Sequence, residues 1–524
     1  MSSTGLLGPT PSGLAVGRRR AGPVLRRLAT SLSIVALLAS CGTPPSPSAT
    51  TSPSAAPSPS PASAGVTPLD ACDPAGYVPC DQQAAVLSIP IVDTNLALTY
   101  SSQWAPGRQD RPNWNADSLG LGGWSISVLQ RYDASDGVLL AGDGSWRFAS
   151  AVSLAAGGTA VPSFDGSVAY VFDAAGHHVR TVDGRLGTTL LTLAYDSTGR
   201  LSSVDGSVAG QAAHLTVQRN AQGVPTALVG TDGAKTSLGL DSSGQLDSVR
   251  SPSNAATYVT WAPDGLVTSE TDPLNNVTRF TYDQAGLLAS TTDADGVAQT
   301  TTRTSTATSV EVRETTTLGR VSTFRTESVS GGIRRSFVGP DGATTAETTA
   351  ADGSRSVSFA DGTSLTIGAQ ASSSWGMSAP VLTPEVATRA DGVVSRTDVI
   401  QALTPTGGLP YALAGTITST VNGAAWVQTF DPAGRTATQV DPAGRKSVNA
   451  YDPDGHLVSS SEPGSPTITS TYDAQGRESS QTVGSGAASR TTKYAYDTSN
   501  GQLSITRPDG SVILVAVDAD GRAT

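Results

Sequence analysis

The feature that most constrains this chain is a turn signature that returns at a near-constant interval through its last hundred residues. Phe430-Asp431-Pro432-Ala433-Gly434-Arg435 is followed by Tyr451-Asp452-Pro453-Asp454-Gly455 and by Tyr472-Asp473-Ala474-Gln475-Gly476-Arg477. Tyr496-Asp497-Thr498-Ser499-Asn500-Gly501 and Val517-Asp518-Ala519-Asp520-Gly521-Arg522 complete the series, with Asp spacings of 21, 21, 24 and 21. Half-period turns lie between them at Asp441-Pro442-Ala443-Gly444, Glu462-Pro463-Gly464 and Pro508-Asp509-Gly510. A turn about every ten residues leaves room for strands of six or seven, which describes an antiparallel meander.

Each residue type in the signature has a physical reason. The Asp carboxylate accepts from the backbone N–H two residues on, Pro pre-sets φ at the next position, and Gly supplies φ > 0 at the end. The aromatic before Asp is expected to be the last strand residue on the buried face, stacked on its counterpart one repeat away. Arg or another polar residue after Gly begins the return strand and should face solvent.

A more worn series precedes this one: Phe172-Asp173-Ala174-Ala175-Gly176, Tyr195-Asp196-Ser197-Thr198-Gly199, Leu240-Asp241-Ser242-Ser243-Gly244 and Tyr282-Asp283-Gln284-Ala285-Gly286. From about 300 to 425 the aromatic is mostly lost, but Asp341-Gly342, Asp352-Gly353, Asp361-Gly362 and Asp391-Gly392 keep the turns. The stretch 366–410 is the least regular and reads as an insertion or an irregular loop. Thr- and Val-rich alternation, as in Thr308-Ser309-Val310-Glu311-Val312-Arg313, fits strands, and no sustained 3.6-residue apolar period occurs after the leader. The fold class is therefore all-β, a repetitive antiparallel hairpin meander.

This pattern resembles the YD-repeat (Rhs) family, over roughly residues 85–524. The stretches IPIVDTNLALTYSS, LGLGGWSISV and GDGSWRFAS resemble the segment that precedes the repeats in that family. The resemblance implies a β-sheet spiral that closes as a hollow shell around a C-terminal toxin. It also implies a structural role, with a surface adhesin for carbohydrate as the alternative. Partners would be a toxin cargo or cell-surface glycans. The chain ends just after a turn, so a truncated frame or the front part of a longer or split protein is expected.

The organisation expected is a leader at 1–40, a tether at 41–68, a capping segment at 69–150, and YD-like repeats at 151–300. Degenerate repeats follow at 301–425, then regular repeats at 426–524. The leader holds Arg18, Arg19, Arg20, Arg26 and Arg27 before an apolar run from about Leu28 to Ala39, too short for the ~20 residues that span a bilayer. Leu38-Ala39-Ser40-Cys41 resembles a lipobox, which makes Cys41 the expected lipidation site and a bacterial membrane a partner through that anchor. The Pro/Ser/Ala/Thr stretch after it carries no charge and is expected to be a semi-extended tether. Cys72 and Cys80, within CDPAGYVPC, are expected to form a local disulfide in an exported protein, two free thiols being the alternative.

Charge and chemistry exclude other classes. The whole chain carries −11, and removing the five leader arginines leaves −16; an acidic body repels phosphate backbones, so no nucleic-acid partner is expected. No catalytic, cofactor or metal residues are assigned. Turn stabilisation explains the recurrent Asp without calcium, Glu311 and Glu314 read as solvated, and His177-His178 reads as exposed after a turn. Trp104, Trp114 and Trp124 read as packing of the capping segment, with a sugar-binding face as the alternative. The residues expected to define the repeat are Tyr195, Asp196, Gly199, Tyr282, Asp283, Gly286, Tyr451, Asp452, Gly455, Tyr472, Asp473, Gly476, Tyr496 and Asp497.

Overall fold

The computed structural model describes residues 84–104, 119–142, 144–208, 210–497, 501–520 and 522–524, all within one compact unit spanning 40–524. Cys41, the tether, Cys72, Cys80 and Trp114 lie outside the described residues, as does the side chain of Trp104. The described residues are β-strands and turns, with 3-10 segments at Ser102–Trp104 and Gly486–Ala488.

Two small sheets come first. Val86–Pro90, Ala97–Ser101 and Trp124–Ile126 pair antiparallel, with Tyr100 opposite both Leu87 and Trp124. Gln130–Asp133, Val138–Ala141 and Trp146–Phe148 form the second. One long antiparallel sheet then runs from Val152–Ser153 to Val512–Ala516, its strands paired in sequence order. A minor variation occurs at Leu201–Val208, which pairs with both Gln211–Ala212 and Leu215–Arg219. The sheet is not sealed by a ladder between its last and first strands. It winds past its own beginning, so that later hairpins lie against earlier ones.

Period-two alternation decides which face is covered. In Thr189–Tyr195, Leu191 and Leu193 are buried while Thr192 and Ala194 are exposed. Their side chains join Leu201, Leu215, Leu228, Leu246, Val259 and Phe280 in one cluster with Leu87, Leu98, Tyr100, Leu121, Trp124 and Ile126 of the front sheet. The front sheet is thus the second layer that this part of the long sheet needs to bury its apolar face. Trp124 sits in that core rather than on a sugar-facing surface, 5.6 Å from the Tyr100 ring, and Trp261 meets Tyr100 edge-on at 5.5 Å.

The reading of 366–410 as an irregular loop does not hold. Ser364–Ser372 is followed by the 13-residue strands Gly376–Thr388, Val394–Thr406 and Leu409–Val421. Register shifts at Ile367/Ala369 and Gln370/Ser372 absorb the irregular spacing. These long hairpins carry Trp375, Ala379 and Tyr411 onto Ala160, Ala169, Val171 and Val182 of the first strands. Their length reflects that second contact, which a strand of six or seven residues would not reach.

Candidate functional site

The repeat turn is built as its sequence requires. At Asp196 the carboxylate Oδ1 accepts from Thr198 N (2.9 Å), Thr198 Oγ1 (2.6 Å) and Arg200 N (3.1 Å), and Oδ2 accepts from Arg200 Nε. The backbone closes with Gly199 N to Asp196 O and Asp196 N to Arg200 O. Gly199 stands at φ +79, the left-handed position that this turn with its adjoining bulge requires. The register shift between Ala194 and Tyr195 is that bulge. Asp283 with Gly286, Asp452 with Gly455 and Asp473 with Gly476 repeat the same bonds. Asn254 and Asn275 occupy the left-handed position in two half-period turns, where a short amide side chain is tolerated. Asp497 ends the strand Arg490–Asp497 opposite Gln502.

Hydrogen bonding to the ionised form holds Asp196, Asp241 and Asp441 below the usual carboxylate range. These groups stay charged under mild acid, and their electrostatics serve the turn.

The aromatic residue does something different from the expected stacking on its counterpart. Its polar tip donates to a backbone carbonyl of the preceding repeat, five residues past the start of that repeat's turn. Tyr195 OH donates to His178 O (3.0 Å), Tyr282 to Val267 O (2.8 Å), Tyr472 to Leu457 O (2.9 Å) and Tyr496 to Glu478 O (3.0 Å). Trp261 Nε1 does the same to Leu246 O at 2.8 Å. The ring stacks on the residue that follows the preceding Gly. His177 lies on Tyr195 at 4.6 Å, His456 on Tyr472 at 4.5 Å, and the Arg477 guanidinium over Tyr496 at 4.2 Å. Burial pushes the Tyr195 and Tyr282 phenols well above their ordinary range, so they remain donors.

Tyr451 departs from this rule. The turn before it places Arg435, not Gly434, at positive φ, and its ladder runs without a bulge. Tyr451 N instead bonds to Arg435 O.

The residue after Gly is therefore a working position, and its expected exposure is corrected. His456 is only 8% exposed, and Arg477 is held at Asp473. His178 is 1% exposed: its Nδ1 accepts from Gln130 N (3.2 Å), its Nε2 lies 3.1 Å from Thr181 Oγ1, and burial pushes its pKa down to about 3. It is a neutral core histidine. Glu311 and Glu314, three apart on one strand, fall on opposite faces. Glu311 pairs with Arg325 outside, while burial pushes Glu314 up to about 7. They do not form a carboxylate pair.

Asp452, Asp454 and His456 bring three potential ligand atoms together. His456 Nδ1 is already bonded to Asp452 Oδ2 at 2.8 Å, and Asp452 Oδ1 accepts from Asp454 N and His456 N. Its Nε2 points instead toward Gly476. The cluster is a turn fixture that orients the ring beneath Tyr472.

A seam joins the two passes of the sheet, and no local pattern announces it. Arg147 Nη1 donates to Ser378 O, 231 residues away, and Leu186 bridges to Ala412. Thr189 N bonds to Pro453 O. Arg477 pairs with Asp232, 245 residues away, while Ser253 N and Oγ bond to Asp520, 267 away. At the last three of these contacts a later turn on the YD edge meets an earlier half-period turn or the strand beginning after one, whereas Ala412 lies within the strand Leu409–Val421. Near Arg477 the front sheet joins in, because Asp232 N also donates to Asp93. Burial pushes the Asp93 carboxyl up to about 6 against the pull of Arg477.

A hairpin-repeat spiral with aromatic latches to the preceding unit at Tyr195, Trp261, Tyr282, Tyr472 and Tyr496 defines a class: a structural shell protein. Residues 156–408 match the family model Teneurin YD-shell, and residues 451–488 match RHS Repeat. Over these residues the chain belongs to the YD-repeat (Rhs) family. No curated protein matches the chain. Among solved structures, "Crystal Structure of TcdB2-TccC3" is similar at 12% identity and TM-score 0.40, covering 84% of this chain and 26% of that one. The TcdB2-TccC3-Cdc42 crystal structure gives 12%, 0.39, 83% and 25%. A Tc holotoxin pore of Photorhabdus luminescens gives 14%, 0.34, 75% and 22%. The chain spans about a quarter of the length of these chains.

Proposed function

We propose that this chain is the wall of an exported, lipid-anchored YD shell that encloses and delivers a polypeptide toxin. The observation that carries the reading is the change in the sheet along its length. Strands up to about residue 292 bury Leu, Val and Phe against the front sheet. From Ala424 to Ala516 the only buried residue is His456, among the described residues. A sheet that lacks a second layer over this length, yet stays in register through turn chemistry and aromatic latches, suits a wall with a lumen better than a globular core. Its Ser- and Thr-rich faces would hold an unfolded polypeptide without adhering to it. The role is structural, and the site of action is the cell envelope or extracellular face.

The anchor rests on the Leu38-Ala39-Ser40-Cys41 pattern and the uncharged tether behind it. Membrane fractionation of Cys41→Ala tests it: the variant should leave the membrane fraction, and continued association would refute the anchor. For enclosure, a reporter polypeptide attached after Thr524 should survive a protease that cuts a free reporter. Equal digestion of both would refute the shell reading.

A further inference from the structure

Where the second pass lies over the half-period edge, the apolar residues there are buried or half-buried. Leu186 is 6% exposed beside Ala412 of the strand Leu409–Val421, and Leu190 is half-buried. Gly455 approaches Leu190 so closely that a Cβ on it would lie 2.7 Å from Leu190 Cδ2. The covered stretch ends at Ser251–Ser253, beneath Asp520.

The next three half-period turns present large apolar side chains to solvent. Leu274 in the turn Asp272–Asn276 is 81% exposed, Val297 after Asp293–Gly296 is 47% exposed, and Leu318 in Thr316–Arg320 is 77% exposed. Three such residues in consecutive turns on one edge form a row, which scattered surface leucines do not.

We propose that this row is a docking surface for a second copy of this chain, which lays the YD edge of its first pass along it. The row continues the seam already described, where the same two kinds of edge meet. The YD-edge turns available are those at 241–244, 262–265 and 283–286, whose tips Ser242, Ser243, Asp264 and Gln284 are exposed. Both edges advance by one hairpin, about 10 Å, per repeat, because strands lie ~4.8 Å apart. Successive turns therefore stay in step along the row. The contact joins different surfaces of the two copies, so it is head-to-tail and leaves each end open to another copy. It is independent of any cargo or membrane anchor.

Sedimentation velocity on the full-length chain over a concentration series tests the proposal. A reversible shift from monomer to larger species is expected, and the double variant Leu274→Asp with Leu318→Asp should raise the dissociation constant by about tenfold or more. Both side chains are exposed tips, so the variant's thermal melting should match the parent. A photo-crosslinker at position 274 should label residues 241–286 of the partner copy. A parent that stays monomeric throughout, a double variant that associates as well as the parent, or crosslinks that map elsewhere would each overturn the proposal.

Discussion

Tyr472 donates its phenolic hydrogen to the carbonyl of Leu457 at 2.9 Å while His456, the residue before Leu457, lies flat against its ring at 4.5 Å. One side chain thereby fixes two atoms of the preceding repeat, a polar one and a stacked one. The hairpins are tied to their predecessors by more than the β-ladder.

Replacing the latch should loosen neighbouring repeats together. Tyr282→Phe keeps the ring and removes the hydroxyl that donates to Val267 O and also bonds to Ser102 of the front sheet. A net loss of about 1 kcal/mol is expected, read as faster amide exchange in Val267–Thr271 as well as Val277–Tyr282. Faster exchange confined to the second strand would argue against a latch.

Gly476→Ala should cost more than Gly464→Ala. Both glycines stand at φ +75 to +78, so both substitutions carry the left-handed penalty of about 1–2 kcal/mol. Only at Gly476 would the new methyl meet His456 Nε2, at 3.0 Å, whereas nothing lies within 4 Å of the Gly464 position. Thermal melts of the two variants measure the difference. Equal losses would show that His456 does not seat beneath the Gly476 turn.

The junction of Asp93, Asp232 and Arg477 should tighten in mild acid. The Asp93 carboxyl sits at about 6, above its ordinary value of 3.8, through burial. A raised folded-state value means protonation favours the folded form. Its contribution is fully present below about pH 4 and is lost as pH rises through 6. Asp473 and the Arg477–Tyr496 stack face the same guanidinium. Asp93→Asn should therefore flatten the stability profile between pH 4 and 7 and raise stability at pH 7.5. Stability that still falls from pH 5 to 7 with the parent's slope would contradict the assignment.

Truncating the front sheet's anchor should expose the first pass of the long sheet. Trp124→Ala removes a buried ring beside Tyr100 and is expected to cost about 3–5 kcal/mol. Proteolysis should then reach the strands at 189–292 before those at 436–516. The reverse order would place the front sheet elsewhere.

The turns were legible in the sequence because their chemistry is local. Asp196 meets Thr198 and Arg200, two and four residues on, and Gly199 fills a backbone position few other residues accept. The latch was half legible. Its aromatic stood out, but its target is 15 to 18 residues back, and the stacking His or Arg looked like an ordinary return-strand residue. The strands at 376–421 were missed because their length answers to a contact with Ala160, Ala169 and Val182 rather than to a turn signal. The seam was illegible. Which turn meets Asp232 depends on how many strands complete a pass, and that follows from accumulated sheet twist and the bulges rather than from any motif.

The most direct test of the central claim, a YD sheet that winds past itself and seals turn on turn, is a spin-label distance between Ser253→Cys and Asp520→Cys in the chain with its own cysteines replaced. These residues are 267 apart in sequence and bonded to each other in the structure. A narrow distribution at the short limit of the method is expected. A broad or long distribution, with the fold otherwise intact, would contradict it.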